Sequence, residues 1–233
     1  MPPRVLRTRR NFYLAYRPDA ELDQCYPEIV QLSRAWVRHN VLRNAGDLPR
    51  LYAFILNTRQ VLDDNVPGDM AELGVYRGNS AAVLAYYARK YGRKLLLFDT
   101  FGGFDAGDLT GVDSEKPREF ADTSIATVRE IVGADNVEFV IGRFPQSLRT
   151  ALAESRFCLV HLDCDLYEPA KAGLEFFYPR LSPGGLIVVH DYANPYWAGI
   201  KAAVDEYCAG IPEKPVVFGD KAGTAMIRKV AEP

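Results

Sequence analysis

The sequence predicts an α/β protein built on a doubly wound, Rossmann-like sheet of seven strands, mostly parallel, with a C-terminal antiparallel hairpin. From residue 67 onward, short apolar runs alternate with longer amphipathic segments, a pattern typical of parallel strands joined by crossover helices. Only residues 219–224 separate the last two runs, too few for a crossover helix, so these two runs must pair antiparallel. Acidic residues follow several runs, at the edge where such sheets bind ligands.

Two helices are predicted before the sheet. Apolar residues recur at helical spacing over 26–43 and 49–64, with Pro27 and Pro49 in first turns and Asp47 as a cap. We assign residues 1–66 to an N-terminal arm with helices that forms a lid or an interface, within one compact domain overall. The apolar and aromatic stretch 11–16 suggests either a cover over the site or an arm exchanged in a homodimer.

The elements of the sheet region follow in order along the chain. The predicted strands are 69–73, 94–98, 137–141, 157–162, 185–190, 216–218 and 225–229, and the predicted helices are 79–91, 123–132, 145–153, 168–180 and 195–209. Segment 105–122 is acidic and glycine-rich with little apolar content, which predicts a long loop. Because it follows a strand end on the ligand side, we expect it to act as a lid.

Composition excludes several functional classes. The net charge of -2 and the absence of a long Lys/Arg block argue against nucleic-acid binding, although four arginines lie in the first ten residues. No apolar run approaches the roughly 20 residues of a membrane helix, and the N-terminus lacks a signal-peptide core, so we expect a cytoplasmic protein without a membrane partner. The four cysteines form no CxxC pair, so neither a zinc knot nor a disulfide framework is indicated.

The ends of the first two strands predict the cofactor. Gly74 and Gly78 permit a tight turn with close approach to a ligand, but their spacing is not GxGxxG, and Glu72 disfavours a pyrophosphate. Asp99 can accept hydrogen bonds from the two hydroxyls of a ribose. Together these residues suit S-adenosylmethionine, which carries a sulfonium and an ammonium but no phosphate, and oppose a nicotinamide-dependent oxidoreductase. Taken alone, Glu72 is equally consistent with a helix cap or an ion pair.

The ends of the fourth and fifth strands predict a metal site. Asp163 and Asp191 close these strands, and if the strands are neighbours both carboxylates reach one small hard cation such as Mg²⁺. Such an ion would lower the pKa of a substrate hydroxyl. His190 is a second ligand, a proton acceptor or a packed core histidine. Asp165 either supports the site or, in the preferred interpretation, caps the following helix.

Four segments resemble the macrocin O-methyltransferase family, whose other members methylate sugar hydroxyls of macrolide and aminocoumarin antibiotics. They are residues 72–78 (ELGVYRG), 98–101 (FDTF), 163–168 (DCDLYE) and 184–192 (GGLIVVHDY), within a resemblance that covers roughly residues 50–230. The resemblance implies a class I methyltransferase domain over residues 67–233 that binds S-adenosylmethionine. It also implies a Mg²⁺ ion and transfer to a hydroxyl of a small, glycosylated natural-product acceptor.

The resemblance also implies roles for individual residues. The methionine part of the donor would be held by Glu72, Gly74, Tyr76, Gly78, Asn79 and Ser80. Asp99 would hold the ribose beside Thr100 and Phe101, and Gly142, Arg143 and Phe144 would border the adenine. Asp163 and Asp191 would bind the metal, and Asp163, which also adjoins the donor, would act as general base.

This chain departs from the family at one position, where His190 precedes Asp191 in place of a second carboxylate. The imidazole leaves room for Mn²⁺ as the ion, and makes His190 a candidate both as metal ligand and as catalytic base. Two alternatives therefore stay open. One is a metal-independent methyltransferase of the same fold with His190 or Asp163 as a plain base, and the other is a non-catalytic S-adenosylmethionine-binding subunit.

Overall fold

The computed structural model of the chain describes residues 5–8, 11–14 and 20–230. Strands β1 (Val5–Thr8) and β2 (Asn11–Leu14) pair antiparallel as a hairpin. The basic residues Arg9 and Arg10, and the side chains of stretch 11–16 with its expected covering or dimerising role, lie outside the described residues. In the described part of the chain, no helix is long and apolar enough to cross a membrane.

The main sheet has seven strands and confirms the predicted fold class. The strands are β3 (Asp69–Leu73), β4 (Leu95–Asp99), β5 (Val137–Ile141), β6 (Phe157–Leu162), β7 (Leu181–Val189), β8 (Val216–Val217) and β9 (Ala225–Arg228). Their order is β5-β4-β3-β6-β7-β9-β8, with the first five parallel. The predicted hairpin is confirmed, because β9 pairs antiparallel with both β7 and β8.

The helices cover both faces of this sheet. They are α1 (Ala20–Cys25), α2 (Glu28–Val37), α3 (Val41–Asn44), α4 (Leu48–Asp63), α5 (Asn79–Tyr91), α6 (Ile125–Val132), α7 (Tyr167–Arg180) and α8 (Ala198–Cys208). One apolar cluster joins α2, α4 and α5 to the sheet and includes Trp36, Ile55 and Tyr87. The other joins α7 and α8 to the opposite face and includes Phe177 and Ile200. Burial on both faces explains the uninterrupted apolar strands.

Two helix predictions are wrong. The single helix predicted over 26–43 is interrupted at His39, whose φ is 60°, because the side-chain amide of Asn79 donates to the carbonyls of Ala35 (2.9 Å) and Arg38 (2.7 Å) and so completes the end of α2. The helix predicted over 145–153 is a series of turns with a 3₁₀ segment at Thr150–Leu152. Its turns close through short-range bonds such as Leu148 N to the Pro145 carbonyl, so no continuous helical ladder forms.

The loop 105–122 is anchored at its middle. Asp113, in the 3₁₀ turn Gly111–Asp113, is 1% exposed, and its Oδ2 accepts a hydrogen bond from the Tyr167 amide (2.7 Å) at the start of α7. Asp165 makes no capping bond there, so the prediction that it caps α7 is wrong. Gly199 of α8 completes the fit, because a Cβ at this position would lie 2.3 Å from Asp113 Oδ2. The loop is therefore fixed to both α7 and α8.

Asp113→Ala removes this anchor. We expect the free energy of unfolding to fall by about 1–2 kcal/mol, since the first turn of α7 loses its cap. The loop should also be cut faster by trypsin after Arg118. Denaturant unfolding and limited proteolysis measure the two effects, with Asp135→Ala, which alters an exposed carboxylate, as control. Parental values in both assays for the Asp113 variant would contradict the anchoring role.

Candidate active site

A cavity of about 350 Å³ opens at the carboxyl ends of β3, β4, β6 and β7. It collects many of the residues that the sequence and the resemblance single out. Those that line it are Gly74, Tyr76, Asp99, Thr100, Gly142, Phe144, Asp163, His190 and Asp191. Those that do not line it are Glu72, Gly78, Asn79, Ser80, Phe101 and Arg143. The position of the cavity is that expected for a ligand site in an open α/β sheet.

The turn after β3 approaches β6 very closely. Gly74 has a φ of 87°, and a Cβ there would lie 2.0 Å from the carbonyl oxygen of Asp163. Gly74 also donates its amide to the carbonyl of Phe98 on β4 (2.9 Å). The absence of a side chain at Gly74 therefore lets the ends of three strands converge on the cavity.

Asp99 organises the donor side of the cavity. Its Oδ2 accepts hydrogen bonds from the amides of Val75 (2.7 Å) and Tyr76 (2.9 Å), and its Oδ1 accepts one from the amide of Phe101 (2.7 Å). A carboxylate has about four acceptor positions, so Asp99 retains capacity for a further donor such as a ribose hydroxyl. Phe101 acts here through its backbone.

Several predicted donor-binding residues lie behind the cavity wall. Glu72 is fully buried, with Oε1 at 2.5 Å from Ser80 Oγ and 2.8 Å from His161 Nδ1. Burial raises the pKa of Glu72, while its hydrogen bonds to His161 and Ser80 act in the opposite direction. The Arg143 guanidinium binds Asp108 (2.7 and 2.9 Å) beside the cavity. These side chains support the wall from behind.

The acidic cluster forms at the ends of β6 and β7, which pair in parallel, the condition on which the predicted metal site depends. His190 Nδ1 lies 2.8 Å from Asp163 Oδ1 and 2.6 Å from Asp191 Oδ2. Strand β7 ends at Val189 and Asp191 has a φ of 60°, which lets both His190 and Asp191 turn into the cluster. His190 Nδ1 is buried without a hydrogen bond of regular geometry. The three side chains offer ligand atoms within 4.8 Å of one another, a spacing that suits one metal ion.

Electrostatics favour opposite charges within this cluster. Burial and the Arg50 charge oppose protonation of His190, but the carboxylates of Asp163 and Asp191 outweigh them and raise its pKa to about 9. Although burial alone would raise the pKa of Asp163, the charges of His190 and Arg50 hold it well below its usual range. The two carboxylates therefore favour the protonated form of His190.

Two residues at the cavity have roles that the sequence does not predict. They are the carboxylate of Asp165 and the cation Arg50. Asp165 lines the cavity, has a φ of 62°, and has its pKa raised by burial and by the neighbouring charges of Asp163 and Asp191. The spacing of two aspartates around Cys164 is the signal that points to it. Arg50 of α4 donates to Asp163 Oδ2 at 2.8 Å. It lies 113 residues earlier in the chain, and no local pattern marks it.

The outer wall of the cavity is aromatic. The ring centroids of Phe104, which directly precedes the anchored loop, and of Phe120, near its end, lie 5.8 and 6.1 Å from the Trp197 ring. Tyr76 meets Phe120 edge to face at 5.0 Å. Such a wall suits the apolar face of a sugar or a ring system.

The chain has relatives among characterised methyltransferases. It is 34% identical over 176 residues to the 8-demethyl-8-(2,3-dimethoxy-alpha-L-rhamnosyl)-tetracenomycin-C 4'-O-methyltransferase of Streptomyces olivaceus, covering 70% of this chain and 66% of the relative. It is 34% identical over 162 residues to the mycinamicin III 3''-O-methyltransferase of Micromonospora griseorubida, covering 63% and 62%. The chain thus spans just under two thirds of the length of these relatives.

Solved structures of methyltransferases share the fold. The O-methyltransferase NovP superposes with a TM-score of 0.68 at 26% identity, covering 78% of this chain and 80% of NovP. The calicheamicin methyltransferase CalS11 superposes with a TM-score of 0.64 at 25% identity, covering 91% and 94%. The sequence profile of macrocin O-methyltransferase (TylF) matches residues 46–224, well over half of the chain. This protein therefore belongs to the macrocin O-methyltransferase family.

Proposed function

We propose that this protein is an S-adenosylmethionine-dependent O-methyltransferase that methylates a sugar hydroxyl of a glycosylated natural product with the help of Mg²⁺ or Mn²⁺. The observation that carries the proposal is the placement of Asp163, His190 and Asp191 in the same cavity as Asp99. The names of two relatives add support for the acceptor, because one is the 4'-O-methyltransferase of a rhamnosyl tetracenomycin C and the other is the 3''-O-methyltransferase of mycinamicin III.

The donor would lie against the turn after β3. Asp99 would accept the ribose hydroxyls, and the backbone of Gly74 and Tyr76 would border the methionine part. Phe144, which is 4% exposed and lines the cavity, offers an apolar surface for the adenine. The excess of aspartates around the cavity suits the positive sulfonium and ammonium of the donor.

Asp163, Asp191 and His190 would hold the metal. Two carboxylates and an imidazole form a suitable donor set, and the buried Nδ1 of His190, with no regular hydrogen bond, fits a ligand role. When bound, the ion supplies a positive charge that lowers the pKa of the acceptor hydroxyl. His190 must lose its proton to serve as a ligand.

Asp165 would accept the proton of the acceptor hydroxyl. Both oxygens of Asp163 are engaged, Oδ2 by Arg50 and Oδ1 by His190, whereas the Asp165 carboxylate faces the cavity and makes no capping bond. The acceptor oxygen would then attack the donor methyl in line, so that its O–C bond forms as the S–C bond breaks. The products are the methyl ether and S-adenosylhomocysteine, and Asp165 keeps the proton.

A metal-independent enzyme of the same fold is the second candidate. The observation in its favour is the position of His190 Nδ1, 2.8 Å from Asp163 Oδ1 and 2.6 Å from Asp191 Oδ2, where a protonated imidazole places a positive charge between the two carboxylates without an ion.

Metal removal decides between the two candidates. With excess EDTA we expect methyl transfer to a rhamnosylated acceptor to fall to background, and added Mg²⁺ or Mn²⁺ to restore it. The assay counts radiolabelled methyl groups from the donor, with S-adenosylhomocysteine binding by calorimetry as the control for an intact donor site. Full turnover in EDTA would select the metal-independent mechanism.

A further inference from the structure

Arg50 reaches the acidic cluster from outside the sheet. Its side chain is only 10% exposed, and its Nη2 lies 2.8 Å from Asp163 Oδ2. The same nitrogen lies 3.4 Å from His161 Nε2, and the guanidinium lies over the Trp36 ring, 5.1 Å from its centroid. The guanidinium is therefore held from three directions.

A buried chain of polar contacts supports Arg50 from behind. Because a guanidinium can only donate, the contact with Arg50 requires His161 Nε2 to be the unprotonated acceptor. The proton of His161 then lies on Nδ1, which donates to Glu72 Oε1 (2.8 Å), and Glu72 also accepts from Ser80. His161 and Glu72 are at most 1% exposed. This buried series of hydrogen bonds therefore connects Ser80 on α5 to Arg50 on α4 and holds the side chains between them in place.

Arg50 determines which oxygen of Asp163 faces the cluster. With Oδ2 held by Arg50, Oδ1 is the atom that lies 2.8 Å from His190 Nδ1. A carboxylate without this partner can rotate and present either oxygen or both. At the same time the positive charge of Arg50, so close to Asp163, opposes the binding of a cation.

We propose that Arg50 is a positioning residue, which orients Asp163 for catalysis at the expense of metal affinity, and that His161 in turn orients Arg50. This inference rests on the proposed function. It assigns Arg50 no contact with the reacting atoms, and it makes two effects of its removal run in opposite directions: turnover should fall while metal binding tightens.

The test compares Arg50→Met with Arg59→Met. Arg59 lies on the same helix and likewise pairs with a carboxylate, Asp63 (3.2 Å), and covers an aromatic ring, Tyr26 (4.8 Å), but it lies outside the cluster. In Arg50→Met we expect kcat to fall about 10- to 100-fold, with the donor KM within about threefold of the parent. Mn²⁺, titrated by the loss of its free EPR signal, should bind more tightly. Arg59→Met should change neither value.

Arg50→Lys provides the rescue. Its ammonium keeps the charge and can still donate to Asp163, so kcat should recover to within about fivefold of the parent and Mn²⁺ affinity should return towards the parental value. If Arg50→Met does not fold, His161→Phe removes the contact between His161 and Arg50 instead. In that variant kcat should fall several-fold, and it should recover in His161→Gln. Parental kcat in the variant that folds, or Mn²⁺ binding in Arg50→Met that is unchanged or weaker, would overturn the proposal.

The Mn²⁺ titration also separates this proposal from the proposed function. If the parent protein methylates no acceptor, the proposed function fails, whereas tighter Mn²⁺ binding by Arg50→Met alone would still locate Arg50 at the metal ligands. If the parent methylates its acceptor and Arg50→Met matches it, only the role of Arg50 fails.

Discussion

Asp165→Asn is expected to lower kcat by about 10²- to 10⁴-fold, the usual contribution of a general base. The amide keeps the size of the side chain and its place at the cavity wall but cannot take up the proton of the acceptor hydroxyl. Donor binding should survive, because Asp99 and the turn after β3 are untouched. Steady-state methyl transfer and calorimetry with S-adenosylhomocysteine measure the two properties separately.

Asp105→Asn is the matched control for this variant. Asp105 also lines the cavity but lies 3.7 Å from the Arg143 guanidinium, and its loss should change kcat by less than about threefold. A kcat of Asp165→Asn within the same range would remove Asp165 from the mechanism. In that case Asp163 and His190, the bases that the resemblance and the sequence suggest, would return as the candidates.

Gly74→Ala is expected to cost more stability than any other single methyl addition proposed for this chain. Two penalties combine at this position: a φ of 87°, which costs about 1–2 kcal/mol for a residue with a Cβ, and a methyl carbon 2.0 Å from a backbone oxygen. This oxygen belongs to Asp163 itself, just after β6, so it cannot move aside without disturbing the site. We expect a loss of more than about 3 kcal/mol in the free energy of unfolding, seen as a lower denaturant midpoint or as insoluble protein.

Two other glycines separate the penalties. Gly92 has a φ of 63°, and among the described residues no side chain or backbone beyond its own chain neighbours and nearby helix lies within 4 Å of the place that a methyl group would take, so Gly92→Ala reports the backbone penalty without the steric one. Gly46 has neither constraint, so Gly46→Ala should be neutral or slightly stabilising. Equal midpoints for the Gly74 and Gly92 variants would show that the close approach to Asp163 costs nothing.

The sheet could be predicted from the sequence because its signals are local. Each strand carries its own apolar run, and the brief link over 219–224 determines the direction of the last pair. The meeting of Asp163 with Asp191 follows from the same reasoning, since strands that follow one another through a crossover helix tend to be neighbours.

What could not be predicted depends on partners that are distant in the chain. The break between α2 and α3 is completed by Asn79, the start of α7 is capped by Asp113, and Asp163 is oriented by Arg50. Each of these side chains lies at least 40 residues from the group it binds. The local pattern favours Asp165 as the cap of α7, and this prediction is wrong because a more distant carboxylate occupies that place.

The anchored loop has two roles that fall on different residues: it holds the start of α7, and it helps to line the cavity. Its centre is bound at Asp113 to the start of α7, directly after the segment that carries Asp163 and Asp165. Phe104, which directly precedes the loop, and Phe120, near its end, form part of the outer wall of the cavity. Substitution of Phe104 or Phe120 should therefore change the shape of the cavity entrance, and so the acceptors that fit, without altering the carboxylates of the site. These two positions are the natural place to begin re-engineering acceptor choice.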